Sequence, residues 1–144
     1  MTAPPPHPPG PPRPVPVLRG EERLYFDAAR EHRLVHQVCA ECGARVFYPR
    51  VLCPSCWSER LDVAESAGRG VVHSFTVLHR AGHPSRAADV PYAVVLVDLD
   101  EGVRVLADLV GWDETDLAVG LPVEVVFDEV SDSLTLPRFR PVRL

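Results

Sequence analysis

Two short motifs decide the fold of this 144-residue chain: Cys39-Ala40-Glu41-Cys42 and, ten residues later, Cys53-Pro54-Ser55-Cys56. They contain all four cysteines of the sequence. Each motif is typical of a tight turn that directs two sulfurs to one point. Two such turns supply the four thiolates that Zn²⁺ binds tetrahedrally in structural sites, so the spacing predicts a four-cysteine metal site.

Two disulfides, or four unrelated thiols, are the alternative to a metal site. Disulfides belong to oxidising compartments, and the N-terminus has no secretory signal, so we expect a reduced, soluble and cytoplasmic protein. The same ligands would hold iron in a rubredoxin-like site, and softness and geometry do not separate zinc from iron. Four protein ligands leave no position for water or substrate, so we expect the metal to hold the fold and not to catalyse.

The residues that flank the motifs raise two questions. Gly43 suits the turn after the first motif, whereas Trp57 follows the second. The indole either covers the outer face of the metal, which we favour, or is an exposed contact. His36 lies three residues before Cys39. With four cysteines present, we expect His36 to be a solvated strand residue and not a ligand.

Composition and charge exclude several classes of protein. The net charge of -5 argues against a generic nucleic-acid binder, which needs a basic surface to neutralise phosphates. All fifteen basic residues are arginine, so chemistry that requires lysine is excluded. No apolar stretch approaches the roughly 20 residues that span a bilayer. The length accommodates one domain or two small ones.

The N-terminal half divides into a tail and a first domain. Residues 1–19 are predicted to be a disordered, proline-rich tail, since nine of the sixteen prolines lie between Pro4 and Pro16. A docking arm is the minor alternative. Residues 20–66 are predicted to form an N-terminal helix and a rubredoxin-like zinc ribbon. The helix is predicted over residues 20–33, with one face formed by Leu24, Tyr25, Ala28 and His32.

The rest of the chain is predicted to be β-structure. Residues 45–49 fit the middle strand of the ribbon and residues 60–65 its third strand. Residues 67–144 are predicted to form a five-stranded OB-fold barrel, with a β-sandwich as the alternative. The five strands are predicted at 71–79, 91–100, 103–110, 122–130 and 134–139. In the first of them Val71, His73, Phe75, Val77 and His79 share a face.

None of the usual catalytic motifs is present. The sequence has no Gly-x-Ser-x-Gly, no dinucleotide-binding glycine motif and no His-Glu-x-x-His. Once the four cysteines hold a metal, no free thiol is left to act as a nucleophile. The sequence therefore favours a binding or scaffolding subunit over a self-sufficient enzyme.

The order of the motifs resembles one known family, the zinc-ribbon/OB-fold acyl-CoA-associated family (domain of unknown function 35). The resemblance covers roughly residue 20 to the end and begins with the helix and the two cysteine motifs. Its other parts are GRGVVHSFTVLHR (68–80), VPY (90–92), LDEG (99–102), GLPVEVVF (120–127) and TLPRFRP (135–141).

This resemblance implies a function that the residues alone do not. Family members are small partners of thiolase-like enzymes, and sometimes of acyl-CoA hydratases, in lipid, steroid side-chain or polyketide metabolism. The ribbon docks on the partner, and the barrel helps to bind or channel the coenzyme A thioester. Catalytic residues then belong to the partner. For the ligand we predict residues of the 80–90 loop and its approach, because arginines bind phosphates in bidentate fashion. They are His79, Arg80, His83 and Arg86. The alternative is that the arginines of this loop only keep it solvated.

Two other functions stay open at this point. An OB-fold module for single-stranded nucleic acid would use aromatic residues interleaved with basic ones. Aromatic content is 7% and the charge is acidic, which speaks against it. A rubredoxin-like electron carrier is the third possibility, and an iron–thiolate protein would be coloured.

Overall fold

The computed structural model describes residues 10–143 and is mainly β, with one helix at the N-terminal end. The helix, α1, spans Glu22–Arg30. Three strands follow and form a small antiparallel sheet, which we call the ribbon sheet. They are β1 (Leu34–Cys39), β2 (Arg45–Val46) and β3 (Leu61–Ser66). Within the described residues no helix has the length and apolarity needed to cross a membrane.

Helix α1 ends earlier than the sequence predicts. His32 adopts a left-handed backbone (φ 58°), and the N–H of Arg33 donates back to the carbonyl of Ala28 at 2.9 Å. This is the usual hydrogen-bond pattern of a helix C-terminus, so His32 lies beyond the helix and not on its face. Ala28 and Ala29 are the buried residues of α1, while Leu24, predicted on the same face, is 40% exposed.

The middle strand of the ribbon sheet is β1 and not the predicted segment at 45–49. The strand order is β2-β1-β3, and β2 is a two-residue edge strand. Consecutive residues of β1 are buried, so both faces of this strand are covered. His36 is among them, with 1% of its surface exposed. The prediction of a solvated His36 is therefore wrong.

The second half of the chain forms a closed barrel. Its strand order is β4-β5-β6-β8-β7, and β7 returns to pair with β4. All pairs are antiparallel except β6 with β8, which is parallel. Closure excludes the β-sandwich and confirms the predicted OB-fold barrel. The strands are β4 (Arg69–Leu78), β5 (Tyr92–Leu99), β6 (Arg104–Leu109), β7 (Pro122–Ser131) and β8 (Leu134–Pro141).

The barrel core is built from alternate residues of its strands. In β5 every second residue from Ala93 to Leu99 is buried. In β4 the predicted common face is the outer one as far as Phe75, and Val72 points inward instead. A register shift between Val72 and Ser74 interrupts the alternation in this strand.

The ribbon sheet and the barrel share side-chain contacts. Leu34 of β1 belongs to the barrel core, and Phe47 packs against the same core. Glu101, in the turn between β5 and β6, accepts hydrogen bonds from the Ser66 hydroxyl (2.8 Å) and the Ala67 N–H (2.7 Å). Burial acts to raise the pKa of Glu101, but these hydrogen bonds lower it below its usual value.

Residues 10–19 form no helix or strand. Residues 1–9 lie outside the described part of the chain. The disordered tail at 1–19 and the boundary between residues 66 and 67 stay predictions.

Candidate metal centre and ligand groove

The four cysteines converge at one end of the ribbon sheet, as predicted. Their sulfur atoms all lie within 4.8 Å of one another. The Sγ atoms of Cys39 and Cys56 are 3.6 Å apart, and those of Cys42 and Cys53 are 3.7 Å apart. These separations match a zinc tetrahedron, in which a Zn–S bond of about 2.3 Å gives an edge of about 3.8 Å. They are far longer than a disulfide bond of about 2.05 Å.

Two matching turns carry the sulfurs. The N–H of Gly43 donates to the carbonyl of Cys39, and the N–H of Trp57 donates to the carbonyl of Cys53, both at 2.9 Å. Both Gly43 (φ 73°) and Trp57 (φ 64°) have the left-handed backbone that the turn requires. Glycine adopts it freely, whereas a tryptophan is strained there by about 1–2 kcal/mol.

Trp57 does not gain burial in return for this strain. It is 76% exposed, which fits the exposed-contact interpretation and not the metal cover that the sequence favoured. Tyr48, Val51 and Leu52 are exposed apolar residues on the same ribbon loop. The loop therefore presents four large apolar side chains to solvent within ten residues.

The ribbon has little core of its own. Around the sulfurs the buried cluster consists of Cys39, Val46 and Cys53, with Ala44 and Leu61 packed against it. The backbone N–H groups of Cys42 and Glu41 favour the thiolate of Cys39, and they lower its pKa to about 6. A cluster this small cannot hold the ribbon, so metal binding supplies the stability.

A groove of about 670 Å³ lies between α1, the ribbon loop and the barrel wall, and we call it the α1 groove. Its apolar lining comes from Tyr25 and Phe26 of α1 and from Val94, Leu106 and Leu136 of the barrel. Burial raises the pKa of the Tyr25 phenol, with a smaller effect from Tyr48.

Two of the predicted ligand residues, His83 and Arg86, line the α1 groove. The Arg86 guanidinium lies 2.9 Å from a carboxylate oxygen of Asp108 and 3.3 Å from one of Asp89. It also stacks 3.6 Å above the ring of Tyr92. Three contacts hold this side chain at the groove mouth.

The other two predicted ligand residues lie elsewhere. His79 lines a separate pocket of about 270 Å³ with Phe75, Trp112 and Glu114. Arg80 is exposed in the bend that follows β4. The four residues therefore do not form one cluster around the α1 groove, and their role in ligand binding stays a prediction.

Sequence reasoning missed one carboxylate and two further arginines of the groove, which are Asp108, Arg13 and Arg138. Asp108 and Arg138 both line it, and Arg138 also pairs with Asp128 at 2.6 Å. In the sequence, Asp108 and Arg138 were recognisable only as charged residues within the largely apolar strands at 104–109 and 134–141. Barrel closure brings these two strands together, which no local pattern reveals.

A four-sulfur ribbon joined to a closed five-stranded barrel defines a zinc-ribbon/OB-fold protein. Residues 26–62 match the family model described as "ChsH2, rubredoxin-like zinc ribbon domain", and residues 63–128 match "ChsH2, C-terminal OB-fold domain". The chain is also 32% identical over 112 residues to a DUF35 domain-containing scaffold protein of Methanothermobacter thermautotrophicus. That alignment covers 76% of this chain and 83% of the relative. The chain belongs to the ChsH2/DUF35 family.

The chain is also similar to two individual proteins whose names mention an enzyme. The chain is 41% identical over 129 residues to a protein of Thermomonospora curvata named probable enoyl-CoA hydratase alpha subunit. This match covers 90% of the chain but 40% of the length of that relative. A solved structure titled "Ltp2-ChsH2(DUF35) aldolase" contains a chain with 40% identity and a TM-score of 0.80, covering 88% of this chain and 98% of that one.

Proposed function

We propose that this protein is a non-catalytic accessory subunit that binds a thiolase-like enzyme or an acyl-CoA hydratase. In this proposal it assists the binding or channelling of the partner's acyl-CoA substrate, in lipid, steroid side-chain or polyketide metabolism. The observation that carries the proposal is the likeness to the chain in the Ltp2-ChsH2(DUF35) aldolase, at TM-score 0.80 over 98% of that chain. The name of the hydratase alpha subunit supports the second kind of partner.

The metal centre supports a structural role for zinc. Cys39 and Cys53 are buried in the small ribbon core, and all four sulfurs face one point. A closed four-thiolate site offers no open coordination position to a substrate. In the proposed complex the metal holds the shape of the ribbon loop, and the partner supplies the catalytic groups.

The exposed apolar residues of the ribbon loop support its use as the docking surface. Trp57 keeps a strained backbone and an exposed indole, and Val51 and Leu52 extend the apolar surface. Tryptophan is among the residues that dominate binding energies at protein interfaces. A large apolar surface of this kind is stable in water when a partner covers it.

The predicted ligand residues keep their role within this proposal. Arg86 contacts Asp89 and Asp108 through its Nε and both terminal nitrogens. A guanidinium has five N–H donors, so about two of them are left for a coenzyme phosphate. His83 lies beside it at the groove mouth, and His79 and Arg80 are the first two residues after β4.

The direct test is co-purification with a thiolase-like enzyme or an acyl-CoA hydratase, followed by calorimetric titration of an acyl-CoA into the complex and into each part. We expect a stable complex that binds acyl-CoA more tightly, or turns it over faster, than the enzyme alone. A monomer that leaves such enzymes unchanged would refute the proposal. So would turnover of a thioester by this chain alone.

Within the complex, paired variants test the ligand residues. We expect His83→Ala with Arg86→Ala to weaken acyl-CoA binding, and His79→Ala with Arg80→Ala to do the same if the whole predicted set contributes. Arg30→Ala, on the exposed side of α1, is the matched loss of a positive charge. Equal affinity in all three variants would remove the loop from the ligand site.

A further inference from the structure

We call residues 10–18 the strap. Its first residue, Gly10, lies against the loop that follows β4, and its last residue precedes α1 by a few positions. Arg13 and Pro14 of the strap form part of the lining of the α1 groove. Opposite them lie the apolar side chains of α1 and of the barrel wall. The groove therefore has a fixed floor made of regular structure and one wall made of an irregular segment.

Two contacts fasten the strap to the barrel. The Arg13 guanidinium donates to the carboxylate of Asp89 at 2.6 Å, and Asp89 is in turn held by Arg86. Three residues earlier, Gly10 packs so closely on the loop that an added Cβ would lie 2.7 Å from the carbonyl oxygen of Pro84. Any larger residue at position 10 would have to push the strap away.

Little else holds the strap in place. The Arg13–Asp89 contact is the one hydrogen bond recorded for residues 10–18 in the described structure. Prolines at four of these nine positions limit backbone donors and favour an extended chain without internal hydrogen bonds. Val15 and Val17 are exposed. A segment with so few buried contacts opens at a much lower free-energy cost than the barrel.

The groove beneath the strap suits an apolar chain better than a phosphate. Its volume of about 670 Å³ is in the range of small-molecule sites, and its floor is formed by side chains such as Leu106 and Leu136. The arginines at its rim already have carboxylate partners: Arg13 with Asp89, Arg86 with Asp108, and Arg138 with Asp128. Below the remaining Arg86 donors at its mouth, the groove therefore offers apolar surface and, among the residues that the structure describes, no unpaired arginine.

We propose that the α1 groove holds the acyl chain of a thioester ligand and that the strap is the lid through which the chain enters and leaves. This inference rests on the proposed function, because it assumes that the ligand is an acyl-CoA. The lid opens when Arg13 leaves Asp89 and closes over the bound chain. The strap thus controls the rates of binding more than the affinity.

The test is stopped-flow fluorescence of cis-parinaric acid, an apolar probe, with the zinc-loaded full-length chain. Arg13→Ala removes the ion pair, and Gly10→Val lifts the strap by steric contact with Pro84. We expect both variants to raise the association and dissociation rate constants together, by roughly two- to five-fold for a part-buried ion pair. The dissociation constant should change by less than about two-fold. Arg19→Ala, a matched arginine outside the strap, should leave the rates unchanged.

A groove-blocking variant locates the probe. Leu106 lies in the groove floor and is 54% exposed, so Leu106→Arg fills the groove without disturbing the barrel core. We expect it to abolish probe binding. The proposal is overturned if Leu106→Arg binds the probe normally, if the native chain shows no saturable binding, or if both strap variants keep native rates. Partner co-purification does not enter these measurements, so this inference and the proposed function fail separately.

Discussion

The carboxylate of Glu101 accepts the hydroxyl hydrogen of Ser66 at 2.8 Å, and this contact joins the turn between β5 and β6 to the last strand of the ribbon sheet. Glu101 also accepts the N–H of Ala67. Because both donors lie at the point where the chain passes from the ribbon to the barrel, one side chain holds this junction.

Glu101→Gln should therefore lower the free energy of unfolding. The neutral amide keeps the shape but weakens both charge-assisted hydrogen bonds, so we expect a loss of about 1–3 kcal/mol in chemical denaturation. Asp100→Asn removes the same charge from the neighbouring exposed position and should cost little. Equal effects of the two substitutions would show that the junction does not depend on this carboxylate.

His36 makes stability depend on pH. Burial lowers its pKa below 6.5, with a further contribution from Arg45, whose guanidinium donates to Nε2 at 2.9 Å and so requires the neutral ring. The unfolded chain protonates first as the pH falls through about 6.5, so stability is complete above that pH and decreases below it. Between pH 7.5 and 5.5 we expect His36 to account for a loss of at most about 1.4 kcal/mol.

Chemical denaturation of the native chain and of His36→Gln at pH 7.5 and 5.5 measures the contribution of His36 to the loss of stability. The variant should lose less stability on acidification, and His79→Gln, an exposed histidine in the bend after β4, is the matched control. Zinc content is measured in parallel, because protons also compete with the metal for thiolates. Identical pH dependence in His36→Gln at equal zinc content would contradict the prediction.

The four-cysteine site is expected to hold the ribbon through a bound metal. Cys39→Ser or Cys56→Ser should reduce bound metal from one equivalent to near zero, unfold the ribbon loop and abolish partner docking, while much of the barrel remains folded. Elemental analysis gives the metal content, and amide hydrogen exchange separates ribbon from barrel. Ser55→Ala, inside the second motif, is the control.

The same preparations distinguish the metals. The native protein should be colourless, since zinc thiolates do not absorb visible light, and a red iron–thiolate spectrum would instead indicate a rubredoxin-like carrier. A serine variant that keeps both stoichiometric zinc and full docking would show that the four-sulfur site is not required for the surface it carries.

Trp57 separates stability from binding. Trp57→Gly relieves the left-handed strain, so zinc content should stay the same and the free energy of unfolding should be unchanged or higher by up to about 1 kcal/mol. Affinity for the partner should fall at least about ten-fold, as expected for a central tryptophan. Val119→Ala, an exposed apolar residue of the barrel, is the control. Undiminished affinity in Trp57→Gly would place the interface elsewhere.

Features that depend on local spacing were predictable from the sequence. The convergence of the four sulfurs was predictable because each cysteine motif forms its own turn, closed by a hydrogen bond within five residues. Alternating β-branched residues located the five barrel strands to within two residues or so.

Features that depend on pairing between distant segments were not predictable. The sequence around His36 predicted a solvated residue because nothing in it shows that β3, at residues 61–66, pairs with β1 and makes β1 the central strand. The exposure of Trp57 could not be predicted, because the direction of its side chain depends on the left-handed backbone that the residue adopts in the folded turn. The predicted ligand residues are close in sequence, yet the folded loop places His79 in a different pocket from His83 and Arg86.

The sequence by itself determined the convergence of the four cysteines, the number of barrel strands and the family, since all three are recorded in short-range spacing. The tertiary structure alone decided which faces are buried and where the α1 groove lies. The reason is barrel closure: Leu109 of β6 meets Phe139 of β8, thirty residues further along the chain. Local patterns carry no information about a contact of that kind.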